Sequence, residues 1–530
     1  MTTSATNYSF PTLGQVIRFA FDACGVLPRK RGERDGMTEQ DKKGIQKRLQ
    51  RLATEEGKLL ENGNAAIAEL GALLTGTVAP KKAVIALGGV LLDLFDVYHA
   101  VVRSEGTYLS ERDTIGWFCR AYAIPRLVVS VRKHLLRLNL AAEGLRIPSE
   151  PDWYLPTVTD KGVKWPLEKA LTWAYRVCDT KQTHFHFPGK DAESECPEQT
   201  ANLENAREWC KGRGTPSWNS LHWNVSRSFE RLASVEGNKY RRDIPAALRE
   251  NIHLVLFVAR LTTDVSKTIA ATLGADALAE LVAQYRRHDS WLQPDLKAFG
   301  QEVDRYRVEM LGTGLTGDEA WLELSEPYWR WFSDRSKTCG MEMQRLLDQY
   351  GEPSLPEETI RALVAHYREY PVRFIVEHLA VCAEIQVPSE FAEGLLAGLE
   401  LKSRPDCNDE EIDRYEASLT HGDLAAQLAW MVPWLRGVVR YRREEYEEAF
   451  PYFEQAFERA KYSAGQNQYM LVNQYIELAA KMDRWRSFKK GVEWAIYLGQ
   501  PVRWLREKPP IEENLLFVFE VMKMARYTQL

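Results

Sequence analysis

Apolar residues recur at three- and four-residue steps along most of this chain, and strict alternation is nearly absent. That pattern predicts an all-α protein. The spacing is sharpest over residues 430–460, WMVPWLRGVVRYRREEYEEAFPYFEQAFERA. Trp434, Val438 and Tyr441 fall on one face of a first helix, and Tyr446, Ala449, Phe453, Ala456 and Phe457 line a second. The polar run Arg442, Arg443, Glu444 and Glu445 forms the turn between them. Gly437, Ala449 and Ala456 allow the two backbones to approach, and the aromatic rings fill the space beside them. The expectation is a helical hairpin with one apolar side.

A single hairpin cannot bury such a side, so stacked neighbours are expected. Residues 469–498 repeat the theme, with Asp483 and Arg484 at a turn, Trp485 where Tyr446 stood and Ala495 where Ala456 stood. Together these segments resemble the tetratricopeptide repeat, a 34-residue helical unit with Gly, Ala and an aromatic at fixed offsets. Over 430–463, Gly437, Tyr446, Ala449, Phe453 and Ala456 match that pattern. Trp434 comes one residue late, Arg436 replaces a Leu, Glu444 replaces the turn Gly and Lys461 stands where Pro would be. The second unit, 469–498, is degenerate. In that family the first helix of each pair lines a concave groove that holds a protein partner. The resemblance thus implies partner binding by Met431, Trp434, Val438, Tyr441 and Arg442. The competing reading makes Trp434 and Tyr441 core filling between neighbouring hairpins.

Earlier in the chain, residues 12–27 read as a short amphipathic helix followed by the basic loop PRKRGERDG. A second helix is expected from Thr38, whose side chain can cap the amide of Asp41. Its stripe is Ile45, Leu49, Leu52, Leu59 and Leu60, with a pause at Asn62 and Gly63. Two apolar helices over 65–102 are joined across Pro80, Ser110 with Asp113 starts another, and Pro125 opens a helix with Leu127, Val131, Leu135 and Leu138 inward. Arg126, Arg132, Lys133 and Arg137 fall on its other side. A Pro-rich stretch, 147–166, separates an N-terminal helical domain (1–150) from a middle helical domain (151–350). The middle domain carries a helix at 167–178, a long polar loop at 179–200, and helices to 232, at 243–261, 275–288, 302–310 and 319–349. Gly351, Pro353 and Pro356 then open a C-terminal helical-hairpin region, an α-solenoid over 351–530.

Composition narrows the classes. With 45% hydrophobic and 27% charged residues the chain has the makings of a folded core, which excludes wholesale disorder. Residues 1–150 hold 21 Lys and Arg against 16 Asp and Glu, too mild an excess for a dedicated nucleic-acid-binding face. The eight cysteines are scattered without a CxxC pair, the start MTTSATNYSF lacks a basic-then-apolar leader, and Asp93 and Asp96 interrupt the most apolar run. A cytoplasmic protein with no membrane span is expected.

Three constellations carry candidate chemistry. Cys178, His184, His186 and Cys196, with Cys210 nearby, hold the soft ligands that a structural zinc takes, although C-x5-H-x-H-x9-C matches no established zinc module. Over 200–232 two helices flank a turn at Gly212 to Gly214, the second beginning at Thr215 with Pro216 at its first position. In that helix-turn-helix reading Leu221, Val225, Phe229 and Leu232 pack inward while Asn219, His222, Ser226 and Arg227 meet nucleic acid. Finally, Arg361 with His366, Arg373 with His378 and Arg414 with His421 resemble the Arg–His pair of HEPN ribonucleases, at a number that chance accounts for. GxxxxGK[ST], HExxH, GxSxG and a strand-linked GxGxxG are all missing, so nucleotide, zinc-protease and serine-hydrolase readings lack their signatures. The leading expectation is a non-enzymatic adaptor or regulatory protein, cofactor-free, binding another protein through the C-terminal groove. A nucleic-acid-binding regulator is the alternative, and a HEPN-like ribonuclease or zinc-dependent hydrolase the third.

Overall fold

A computed structural model describes residues 8–25, 39–53, 59–76, 81–141, 147–185, 197–234, 241–310, 387–505 and 508–524. The described chain is helical almost throughout. Its one sheet is the two-stranded antiparallel hairpin β1 (Thr157–Thr159) and β2 (Gly162–Lys164), lying in the Pro-rich stretch. Among the described residues no helix is long and apolar enough to cross a membrane.

Helix α1 (Leu13–Cys24) opens with a capping box, the Thr12 hydroxyl accepting from the Gln15 amide while the Gln15 side chain accepts from the Thr12 amide. It closes on Gly25 at φ +64°, the left-handed geometry that suits glycine. Helix α2 (Glu39–Ala53) turns Ile45, Leu49 and Leu52 into the core. The cap expected from Thr38 lies outside the described residues. Helix α3 (Leu59–Gly76) runs straight through Asn62 and Gly63, where the sequence pattern predicts a pause. Gly63 faces α1: a Cβ on it would make ordinary contact with Leu13 at 3.5 Å and Ile17 at 3.7 Å.

Helix α4 (Lys81–Ser104) precedes α5 (Glu111–Phe118), which begins as expected on Ser110, whose Oγ accepts the Asp113 amide at 3.2 Å. A π-helical turn, Cys119–Ala123, leads into α6 (Ile124–Ala141), so Pro125 sits inside a continuous helix. The deepest residues of α6 are Val128, Val129 and Ser130, one position round from the Leu127 and Val131 face that the pattern predicts. The cause lies on the opposing helices, which offer acids. Arg132 forms a two-pronged bridge to Asp289 at 2.6 Å, and Ser130 donates to Asp93 at 2.5 Å.

Helix α7 (Pro166–Val177) and the short α8 (Gln182–Phe185) precede α9 (Pro197–Cys210) and α10 (Trp218–Ser234). Helix α11 (Ala246–Leu273) extends well past Leu261, because Thr263 on its polar half is buried and accepts the first-turn amide of Leu167 at 2.9 Å. Helix α12 (Ala275–Met310) is one helix through Pro294 rather than two. Its buried stripe Leu278, Leu281, Tyr285, His288 and Leu292 is unbroken across the point where the polar pattern predicts an end.

The C-terminal region is a succession of short helices: α13 (Ser389–Ser403), α14 (Asp409–His421), α15 (Met431–Arg442), α16 (Tyr446–Ala460), α17 (Gln468–Lys481), α18 (Trp485–Tyr497) and α19 (Glu512–Met524). Each packs on the next in sequence from α13 to α19, and α13 also touches α15, as α17 touches α19. The first chain third grips this succession at the connector after α16. The Phe10 amide donates to Tyr462 O at 2.8 Å, the Thr107 amide to Ser463 O at 2.9 Å, and Gly106 bridges Ala464. Gln468 donates to Val102 O at 3.0 Å, supplying a partner for a carbonyl in the last turn of α4. Buried apolar residues form one contiguous core from Phe10 to Met522.

Candidate partner-binding surface

The hairpin of α15 and α16 follows from its sequence residue by residue. A Cβ at Gly437 would stand 2.9 Å from the Phe453 ring, so only glycine lets the two helices cross this closely. Ala449 and Ala456 are fully buried, and Tyr441 meets Tyr446 edge-on at 5.2 Å. The turn places Glu444 at φ +63°, the left-handed conformation for which the repeat family uses Gly. Asp483 holds φ +54° at the matching turn between α17 and α18. Phe457 stacks on Tyr475 at 4.4 Å and 13°, joining the two hairpins through their apolar sides.

Four of the five residues implied as partner-binding are enclosed. Met431, Trp434 and Val438 are at most 1% exposed and Tyr441 7%. Met431 packs beneath Gly398 of α13, where a Cβ would come within 2.7 Å of its Cγ. The Trp434 indole Nε1 donates to Gln474 Oε1 of α17 at 2.6 Å. Arg442, half-buried, donates to Arg404 O at 2.6 Å and Lys402 O at 2.7 Å, closing the carbonyl end of α13. Met431, Trp434 and Arg442 therefore tie one hairpin to the next, whereas Tyr441 packs within its own hairpin against Tyr446 and Phe453.

What reaches the surface over them is a different set. Lys402 of α13 holds its ammonium 5.0 Å above the Trp434 ring and touches the thioether of Met470 on α17. Burial, then the charge of Arg442, lowers the Lys402 pKa. Among the described residues no carboxylate lies within ion-pair distance of it, whereas Arg436 binds Asp413 and Glu416, and Arg440 binds Asp409. Met470 is half exposed. Three successive first helices, α13, α15 and α17, thus meet in one cluster of Lys402, Trp434 and Met470. Lys402 and Met470 carry no helix-period signal of their own, since their partner arrives from 68 residues away.

The other constellations are placed as follows. Helix α10 starts at Trp218, not Thr215: the Ser217 hydroxyl accepts the Ser220 amide at 3.3 Å, and Pro216 lies before the helix. Leu221, Val225, Phe229 and Leu232 are buried. The His222 ring lies 4.2 Å from that of His253 on α11, and Ser226 Oγ is 3.3 Å from His253 Nε2, so these two face α11. Asn219 is half-buried and Arg227 pairs with Glu230 at 2.7 Å on the surface. Of the zinc candidates, Cys178 is buried with its thiol pushed up to about 12 by desolvation. His184 belongs to α8, its side chain outside the described set, and His186 and Cys196 lie outside the described residues. Cys210 meets the Tyr175 hydroxyl at 3.7 Å. Among the described residues no three potential ligands gather as a metal site. The pairs Arg361 with His366 and Arg373 with His378 also lie outside the described residues, and Arg414 and His421 are both exposed on α14.

Compared with protein-family models, with curated proteins and with solved structures, the chain matches none.

Proposed function

We propose that this chain is a non-enzymatic adaptor whose C-terminal hairpins form a tetratricopeptide-like solenoid that holds a segment of another protein. The observation that carries this reading is the cluster of Lys402, Trp434 and Met470, one side chain from each of three successive first helices. A half-buried ammonium with no counter-ion among the described residues favours an acidic group on the partner, and a half-exposed thioether adapts to an apolar side chain beside it. The enclosed Trp434 serves as the rigid floor of the groove rather than as its lining. Free thiols at Cys24, Cys119, Cys178, Cys210 and Cys407 suit a reducing compartment.

The test is co-purification of the full chain, with bound protein identified and quantified by mass spectrometry. A stoichiometric partner that is lost in the Lys402→Glu, Met470→Asp double variant, at unchanged helical content, supports the reading. A partner retained at full occupancy by that variant overturns it.

A further inference from the structure

Methionines of this chain differ sharply in their access to solvent. Met431 and Met522 are enclosed, at 0% and 2% exposure, and Met482 is half-buried, whereas Met470 is 50% exposed and Met524 76%. A small oxidant in solution therefore meets the thioethers of Met470 and Met524 first. Met470, in the first turn of α17, also lies against the ammonium of Lys402, which rests on the Trp434 ring. A thioether sulfur is a weak acceptor, so an ammonium with no carboxylate beside it among the described residues is poorly matched there.

We propose that Met470 is a reversible oxidation site, whose sulfoxide takes the Lys402 ammonium as its hydrogen-bond donor and withdraws that charge from the surface. The oxidant is hydrogen peroxide. A bond forms between the Met470 sulfur and one peroxide oxygen as the O–O bond breaks, and the proton on the transferred oxygen passes to the departing hydroxide. Sulfur is oxidised, and the peroxide is reduced to water. The sulfoxide oxygen is a far better acceptor than the sulfur that bears it, and it grows from an atom the ammonium already touches. The same change at Met431 would set a strong dipole among buried apolar groups, but at Met470 it meets water and a cation, so the fold tolerates it. One consequence rests on the adaptor reading: the sulfoxide competes with an acidic group of the partner for Lys402 and weakens binding.

Peptide mass spectrometry of the full chain, treated with hydrogen peroxide and then briefly with a limiting amine-acylating reagent, tests the proposal without any partner. Sulfoxide is expected at Met470 and Met524 while Met431 and Met522 stay as thioethers. Acylation of Lys402 slows roughly five-fold, the size of one net hydrogen bond to a charged group, and that of Lys490, paired with Glu458, is unchanged. Methionine sulfoxide reductase restores the Lys402 rate. Met470→Leu abolishes the response to peroxide, and Met470→Gln, whose carboxamide oxygen stands where the sulfoxide oxygen would, slows Lys402 before any peroxide is added. Met470 still a thioether when Met524 is fully oxidised overturns the proposal. So does an unchanged Lys402 rate in the Met470 sulfoxide, or a slowing that persists in Met470→Leu. A slowed Lys402 in a chain that co-purifies with no partner supports the proposal and counts against the adaptor reading, so the two fail separately.

Discussion

The indole Nε1 of Trp434 donates to Oε1 of Gln474 at 2.6 Å, and both side chains are buried where the first hairpin meets the second. Trp494 repeats the arrangement, donating to Gln468 Oε1 at 3.1 Å, and Gln468 passes the connection on to Val102 O. Replacing Trp434 by Phe keeps an aromatic ring but orphans the Gln474 oxygen, which costs about 1–3 kcal/mol. In urea unfolding the midpoint falls accordingly. A Trp434→Phe, Gln474→Leu double variant loses less than the sum of the two singles, since no lone acceptor is then left.

Arg260 ties the N-terminal third to the middle of the chain. Its side chain is fully buried, Nε donates to Pro216 O at 2.9 Å, and Nη1 donates to Ala23 O in the last turn of α1. Arg260→Met leaves the carbonyls of Pro216 and Ala23 without their donor and lowers stability by about 1–3 kcal/mol for each. Arg260→Lys recovers little of this, because one ammonium cannot reproduce the guanidinium fork that spans two carbonyls.

Glu444 and Asp483 sit in left-handed turns that penalise any side chain with a Cβ. Glu444→Gly and Asp483→Gly each stabilise the hairpins, by up to about 1 kcal/mol after the entropy of the unfolded glycine is counted. Thermal denaturation reads the gain as an upward shift in midpoint. A fall in both variants contradicts the turn assignment.

His253 is buried among Trp218, Phe229 and His222, and desolvation followed by the His222 charge lowers its pKa from 6.5 to about 3; burial also lowers that of His222. A histidine whose folded pKa is depressed contributes stability that is complete above its unfolded value. That stability is lost as pH falls from about 6.5 towards 3, at about 1.4 kcal/mol per pH unit for a fully buried ring. The unfolding free energy is therefore flat from pH 8 to 7 and declines below 6.5. His253→Gln flattens the decline, and an unchanged slope in that variant contradicts the packing of α10 on α11.

Helix identity was legible because it depends on local spacing: Ile45, Leu49 and Leu52, the Ser110 cap and the Gly437 crossing all stand where the pattern puts them. Helix ends were less so, since Thr263 is a polar residue held in the core by the distant Leu167 amide, and His288 is buried against Trp291 of its own helix. The surface was the least legible part. A buried Trp and a groove-lining Trp have the same periodicity, and only the packing of Lys402 over Trp434 shows that this ring is covered.

Amide hydrogen exchange on the chain with its co-purified partner, before and after the partner is released, bears most directly on the adaptor reading. The account predicts protection that appears on binding at the end of α13 around Lys402 and at the start of α17 around Met470, with α10 unchanged. Protection confined to α10, or a partner that alters no amide in α13 to α17, contradicts it.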